Sequence, residues 1–238
     1  MRPCEGKIAL VTGSSRGLGQ VIARTLSEAG AHLVLNYRQS GGRSEAQAKA
    51  MAKELVELGA RASAIQADIG QKESVAAMFE QIASEYGRLD ILILNAARAP
   101  FKPLKDLLRR DLLQLVETNF LGHIYCMQGA LPLMEQSGGR VVFISSLGSR
   151  FAFPDYPLGS MKAAMECLGT HWSRELASAR INVNGVTAGL LKTDSLKVLR
   201  QYWPEIDRLP DSRFVGLDEV ADVVVFLCSD AARALKGQ

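Results

Sequence analysis

Hydrophobic and polar positions fall into two regimes that alternate along the chain. Lys7–Thr12, Ala31–Tyr37, Ala62–Ala67, Asp90–Asn95, Arg140–Ser145 and Ile181–Thr187 are short apolar runs bounded by Gly, Asn, Asp or Ser. Each reads as a strand. The stretches 17–29, 43–58, 72–86, 106–135 and 157–178 repeat apolar residues at three- and four-residue steps, as in Leu104, Leu107, Leu108, Leu112 and Leu115. That period predicts helices, with a last one over 218–229. Strict strand–helix alternation with short links implies right-handed crossovers, hence an α/β fold: a doubly wound parallel sheet with helices on both faces. In such sheets ligands bind beyond the carboxyl ends of the strands, where the strand order reverses.

Composition narrows the class. With 238 residues, 47% of them hydrophobic and 22% charged, the chain suits one globular core, so a single domain over 1–238 is expected. No apolar run reaches the roughly 18 residues of a membrane span, and Met1–Gly6 leads into the first strand without a signal-like segment. A cytoplasmic protein without a membrane partner is the expectation. Cys4, Cys126, Cys167 and Cys228 are scattered, and His32, His123 and His171 share no ligand spacing, so no metal site is expected. A net charge of +3 without a dense basic stripe argues against nucleic acid.

The first strand runs into Thr12-Gly13-Ser14-Ser15-Arg16-Gly17-Leu18-Gly19 and then a helix. Glycines at this spacing permit a tight turn and a close backbone approach to a pyrophosphate, whose charge meets the N–H groups at the helix start. A carboxylate after the second strand would bind a ribose 2′-hydroxyl; here stand Asn36-Tyr37-Arg38, with Arg43 nearby and Arg16 in the glycine turn. Guanidinium groups favour a 2′-phosphate, hence NADP(H) over NAD.

The turn T-G-x-x-x-G-x-G resembles the cofactor motif of the short-chain dehydrogenase/reductase family, and further family landmarks follow in register. Asp68-Ile69 resembles the adenine-contacting pair, Asn95-Ala96-Ala97 the N-A-G motif, Asn119 the structural and catalytic asparagine, Ser146 the catalytic serine and Lys162 the catalytic lysine. Val186–Thr193 resembles the nicotinamide-contacting loop. The resemblance implies a Rossmann-like fold whose cofactor contacts come from Gly13, Ser15, Arg16, Gly17, Leu18, Gly19, Asn36, Arg38, Asp68, Ile69, Asn95, Ala96, Ala97, Lys162, Gly189, Leu190, Leu191 and Thr193. It also implies a homodimer or homotetramer. The family's last strand would follow Gly237-Gln238, so the sheet is expected to lack it.

Family members ordinarily carry Y-x-x-x-K, with the lysine lowering the tyrosine's pKa for proton exchange. Four residues before Lys162 stands Leu158, and the nearest phenol is Tyr156, which makes the motif Y-x5-K. Pro157 suits a first helical turn, so Tyr156 should sit at or just before the helix start. This stretched spacing, with Ile144-Ser145-Ser146-Leu147-Gly148-Ser149 and Val186-Thr187-Ala188-Gly189, resembles the NADPH-dependent enoyl-acyl-carrier-protein reductase III branch. The branch implies hydride transfer to C3 of a trans-2-enoyl thioester, with Tyr156 and Ser146 bonding the thioester oxygen, Lys162 holding the nicotinamide ribose and Asn119 in support. Two other readings remain open: a ketoacyl, carbonyl or alcohol oxidoreductase, and a catalytically weak nucleotide-binding family member. Trp203, Tyr202 and Leu199 fall where this family covers its substrate, and Trp172 is expected at an interface or in the core. Arg98, Lys102, Lys105, Arg109 and Arg110 against Asp106 suggest a cationic rim for an acidic acyl carrier protein.

Overall fold

A computed structural model describes residues 2–153 and 155–238, and of Ser195 the backbone alone. Six parallel strands form the sheet: β1 (Ile8–Val11), β2 (His32–Tyr37), β3 (Ala62–Gln66), β4 (Ile91–Leu94), β5 (Gly139–Ser146) and β6 (Ile181–Ala188). Their spatial order is β3-β2-β1-β4-β5-β6. The order reverses between β1 and β4, which sets the ligand crevice beyond Val11 and Leu94. Both β1 and β4 are buried along their whole length, as befits strands covered on both faces.

One core layer packs α1 (Gly17–Glu28), α2 (Arg43–Glu57) and the last long helix, α8 (Leu217–Cys228), around Ile22, Leu33, Ile93 and Val224. The other packs α3 (Lys72–Tyr86), α5 (Gly122–Met134) and α6 (Leu158–Glu175) around Leu10, Leu92, Met78 and Met165. Trp172 lies in this second core. Among the described residues no helix is long and apolar enough to cross a membrane.

One expectation needs correction. The helix read over 106–135 is broken into a short turn at Leu104–Asp106, α4 (Arg109–Val116), a π-helical turn at Glu117–Leu121 and α5. Asp111 starts α4 by accepting the Leu108 N–H (3.1 Å) and the Lys102 ammonium (2.7 Å). The π turn then rotates Asn119 inward, fully buried. The chain's tail also meets the sheet. Among the described residues no strand pairs with the outer edge of β6 in the six-stranded sheet, yet Gly237 N–H donates to Val183 O (2.8 Å) and Gly185 N–H to Gln238 O (2.7 Å). Asn184 Nδ2 bonds Leu235 O at 3.0 Å, so the tail lies along the β6 edge instead of leaving it bare.

Candidate active site

The glycine turn is pinned from beneath. Gly13 has φ +64, and a Cβ there would meet Ala96 Cα at 2.9 Å. Thr12 Oγ1 donates to Ile93 O (3.0 Å) and accepts the N–H groups of Asn95 (2.9 Å) and Ala96 (3.1 Å). Asn95 Nδ2 returns a bond to Thr12 O at 2.9 Å. These contacts tie β1 to β4 at the switch point. Asn36 is a scaffold residue and does not face the cleft: its Oδ1 accepts Gly13 N–H (3.0 Å) and its Nδ2 donates to Ala67 O (3.0 Å), at 2% exposure. The side chains of Leu18 and Ile69 likewise pack into the two cores.

What the turn presents is backbone N–H and space. α1 begins at Gly17 with no side-chain cap on Arg16, and a Cβ on Gly17 would meet nothing within 4 Å. An uncapped helix start above an open glycine fits a dinucleotide pyrophosphate. Arg38 is exposed just past β2. Arg16 lies 3.7 Å from Asp194, whose carboxyl is held below its ordinary range first by Lys197 and then by Arg16 and Arg43. Asp68 Oδ1 turns back on Gly70 N–H at 3.0 Å.

On the other side of the switch point a mostly apolar cleft of about 200 Å3 opens beyond β4, β5 and β6. Its lining brings together Ser146, Tyr156, Ala97, Gly189, Leu190, Leu191 and Thr193. Leu190–Leu191 form β7, paired with β8 (Phe214–Val215), and Thr193 precedes α7 (Asp194–Leu199). Ser146 ends β5, where its Oγ accepts Gly148 N–H (3.2 Å) and stands 3.5 Å from Tyr156 Oη. Tyr156 precedes α6, with Pro157 as the residue before the first helical turn. Its ring lies on Gly148, where a Cβ would meet Cε1 at 2.5 Å. Burial pushes the phenol above its ordinary pKa, and Ser146 opposes this.

Lys162 and Asn119 sit behind this wall. Lys162 Nζ donates to Ile144 O at 2.6 Å, and burial pushes the ammonium down to about 8. Asn119 spends its side chain on backbone: Oδ1 accepts Arg98 N–H (2.9 Å), and Nδ2 donates to Arg98 O (2.7 Å) and Leu115 O (2.8 Å). It therefore fixes the segment after β4 and touches no cleft atom.

To Tyr202, Trp203 and Leu199, which the sequence singles out, the structure adds Phe101, Phe153 and Glu166. Phe101 and Phe153 flank Tyr156 at ring-centroid distances of 5.6 and 6.3 Å, and Tyr202 and Trp203 pack on them in turn at 6.3 and 5.6 Å. Leu199 lines the cleft below. His123 is a buried neighbour whose Nε2 bonds Ala96 O at 3.0 Å; desolvation, and then Lys162, push its pKa down to about 3. Glu166 is a third addition. Its one available signal was a carboxylate a single turn beyond Lys162 on the same helix face.

Known proteins resemble the chain over nearly its whole length. The chain is 37% identical over 239 residues to 1-cyclohexenylcarbonyl-CoA reductase of Streptomyces collinus, covering 98% of this chain and 84% of that protein. It is 33% identical over 236 residues to a 3-oxoacyl-(acyl-carrier-protein) reductase of Staphylococcus aureus, covering 98% and 94%. Gluconate 5-dehydrogenase of Burkholderia cenocepacia, solved with NADP and tartrate, superposes with a TM-score of 0.89 at 29% identity over 98% of this chain and 92% of that one. The family model described as enoyl-(acyl carrier protein) reductase matches residues 13–238, and the chain belongs to that family, as an NAD(P)-dependent oxidoreductase of the short-chain dehydrogenase/reductase type.

Proposed function

We propose that the protein is an NADPH-dependent reductase of α,β-unsaturated acyl thioesters carried on an acyl carrier protein or coenzyme A. The observation that carries this reading is the Tyr156 phenol, off the helix of Lys162, converging with Ser146 on one point of an apolar cleft. Two hydroxyls aimed at one place suit a single oxygen that gains charge during reaction. Burial keeps the phenol above its ordinary pKa, and Lys162 is turned to Ile144 O. Such a phenol donates a hydrogen bond without surrendering its proton, which an enolate oxygen needs and an alkoxide oxygen exceeds.

When bound, the cofactor supplies a hydride to C3 of the acyl chain. The chain's own residues do the rest. Ser146 and Tyr156 hold the thioester oxygen as the enolate forms, and protonation at C2 completes the reduction. Lys162 lies beneath the cleft, where it would hold the nicotinamide ribose. Gly17 and the uncapped start of α1 would hold the pyrophosphate, Gly13, whose N–H is taken by Asn36, would shape the turn, and Arg38, Arg16 and Arg43 would be the cations for a 2′-phosphate. Solved relatives hold NADP in some cases and NADH in others, so the preference rests on these charges. The similarity to a cyclohexenylcarbonyl-CoA reductase supports a conjugated thioester substrate.

The similarity to a 3-oxoacyl reductase favours a second reading, reduction of a 3-ketoacyl thioester at the same cleft. Crotonyl-CoA and acetoacetyl-CoA, assayed in parallel by loss of NADPH absorbance, separate the two. Faster turnover of crotonyl-CoA supports enoyl reduction. Turnover of acetoacetyl-CoA alone replaces it with the second reading, and turnover of neither despite NADPH binding removes both.

A further inference from the structure

We propose that Glu166, through a fan of hydroxyl hydrogen bonds, is a positioning residue for the Ser146–Tyr156 pair. The inference rests on the reading of that pair as the catalytic donors. Glu166 Oε1 accepts from Ser145 Oγ (2.5 Å), Ser149 Oγ (2.7 Å) and Thr187 Oγ1 (3.2 Å). The three donors come from the end of β5, the turn at Leu147–Ser149 and the end of β6. One carboxylate oxygen on α6 thus joins β5, which ends at Ser146, the turn that follows it and the neighbouring β6.

The choice of residue has a physical reason. Three donors converging on one partly buried oxygen suit a carboxylate, which only accepts and whose charge-assisted bonds are the stronger kind, though an amide oxygen at the same place still accepts. Arg150, 3.6 Å from the other oxygen, sits at the rim as counter-charge. The carboxyl is held below its ordinary pKa by the three hydroxyls and Arg150 despite desolvation, so it is ionised at neutral pH.

The turn it grips is the one that decides catalytic geometry. Gly148 N–H holds Ser146 Oγ at 3.2 Å, and the Tyr156 ring rests on the same Gly148. The Ser146–Tyr156 contact is already long, at 3.5 Å, so a shift of a few tenths of an ångström in the turn separates the two donors. Glu166 is not itself a lining residue and bonds neither Ser146 nor Tyr156; it reaches the cleft wall only through Ser145, which distinguishes it from a catalytic residue.

The test is a double-mutant cycle on the full-length protein with NADPH and crotonyl-CoA or, where the parent reduces only that, acetoacetyl-CoA. Glu166→Leu is expected to lower kcat roughly 10- to 50-fold and leave NADPH affinity within about twofold, while Glu166→Gln, which keeps an acceptor, regains most of the loss. In a Ser146→Ala background the further loss from Glu166→Leu should be under about twofold, because the group it positions is gone. Losses that multiply in that background, or a Glu166→Leu enzyme with parental kcat, overturn the proposal. If Glu166→Leu does not fold, Ser149→Ala in the same cycle carries the test, with an expected loss of about threefold that vanishes beside Ser146→Ala and overturns the proposal if it persists. Parental turnover by Ser146→Ala itself would overturn the reading of the catalytic pair, an outcome separate from failure of Glu166 alone.

Discussion

In the half of the sheet formed by β1, β2 and β3, the groups offered to the pyrophosphate are backbone atoms locked by buried side chains; in the half formed by β4, β5 and β6, the groups offered to the substrate are side chains carried on turns. Thr12 and Asn36 bond strand ends at 2.9–3.1 Å and are themselves fully or almost fully buried. Tyr156, Phe101, Phe153, Tyr202 and Trp203 pack ring against ring. The first arrangement presents one rigid surface to one cofactor class. The second can change its lining without disturbing the sheet, which is how one scaffold takes many substrates.

The largest separation of the two halves should come from Tyr156→Phe. Loss of the phenol oxygen is expected to lower turnover roughly 10²-fold or more, with NADPH affinity nearly unchanged, as measured by steady-state kinetics and cofactor fluorescence titration. Parental turnover in the Phe variant would transfer the donor role to Ser146. Asn36→Ala should do the reverse. It leaves Gly13 N–H and Ala67 O without partners in a buried place, so a loss of about 2–3 kcal/mol in denaturant stability and weaker NADPH binding are expected, with kcat at saturating cofactor largely retained.

Lys162 belongs to both halves and gives a pH signature. Burial lowers its folded-state pKa from 10.5 to about 8, so the unfolded chain binds this proton more tightly. Stability of the cofactor-free protein therefore carries the full charging cost below about 8, and rises with pH as that cost is relieved between about 8 and 10.5. Lys162→Met should raise stability by roughly 1–2 kcal/mol near neutral pH while losing activity, and the gain should fade towards about pH 10. Thermal unfolding of both proteins across that range reads it directly. A constant difference would mean the gain comes from packing.

The same contrast governs what the sequence made legible. Strand runs and the glycine turn obey local rules, so their positions follow from period and spacing, as the agreement of Ala62–Ala67 with observed Ala62–Gln66 illustrates. Asn36 misled because strand-end polarity does not say which way a side chain points. The long helix broke where Asp111 caps a new start and where a π turn inserts Asn119, neither of which disturbs an apolar period. Glu166 and Phe101 acquire meaning only from partners 17 or more residues away on other elements. Tyr156 was legible because its spacing from Lys162 is a one-dimensional fact.

A smaller effect is expected at the edge of the nucleotide half. Arg38 stands exposed past β2 with no carboxylate at the strand end, so NADPH should bind about tenfold more tightly than NADH, and Arg38→Asp should reverse the order. Equal affinities in the parent would remove the NADP assignment and leave Arg38 as solvated surface.

The smallest effect concerns the rim of the substrate half, where the structure has thinned the cation count: Lys102 is neutralised by Asp111 at 2.7 Å. Lys105, Arg109 and Arg110 remain exposed on the segment that follows Phe101, whose ring lines the cleft. A cationic patch beside the entrance attracts an acidic carrier protein mainly by speeding encounter, an effect that falls as salt shortens the screening length below about 10 Å. Lys105→Glu with Arg109→Glu should therefore lower kcat/KM for a carrier-protein thioester by a few fold, roughly 3- to 10-fold at low salt, and leave the same acyl group on a small free thioester unchanged. Added salt should shrink the gap between parent and variant. Equal losses on both substrates would show that the variant disturbs α4 itself, and no loss on either would assign these three cations to ordinary surface and the thioester to coenzyme A.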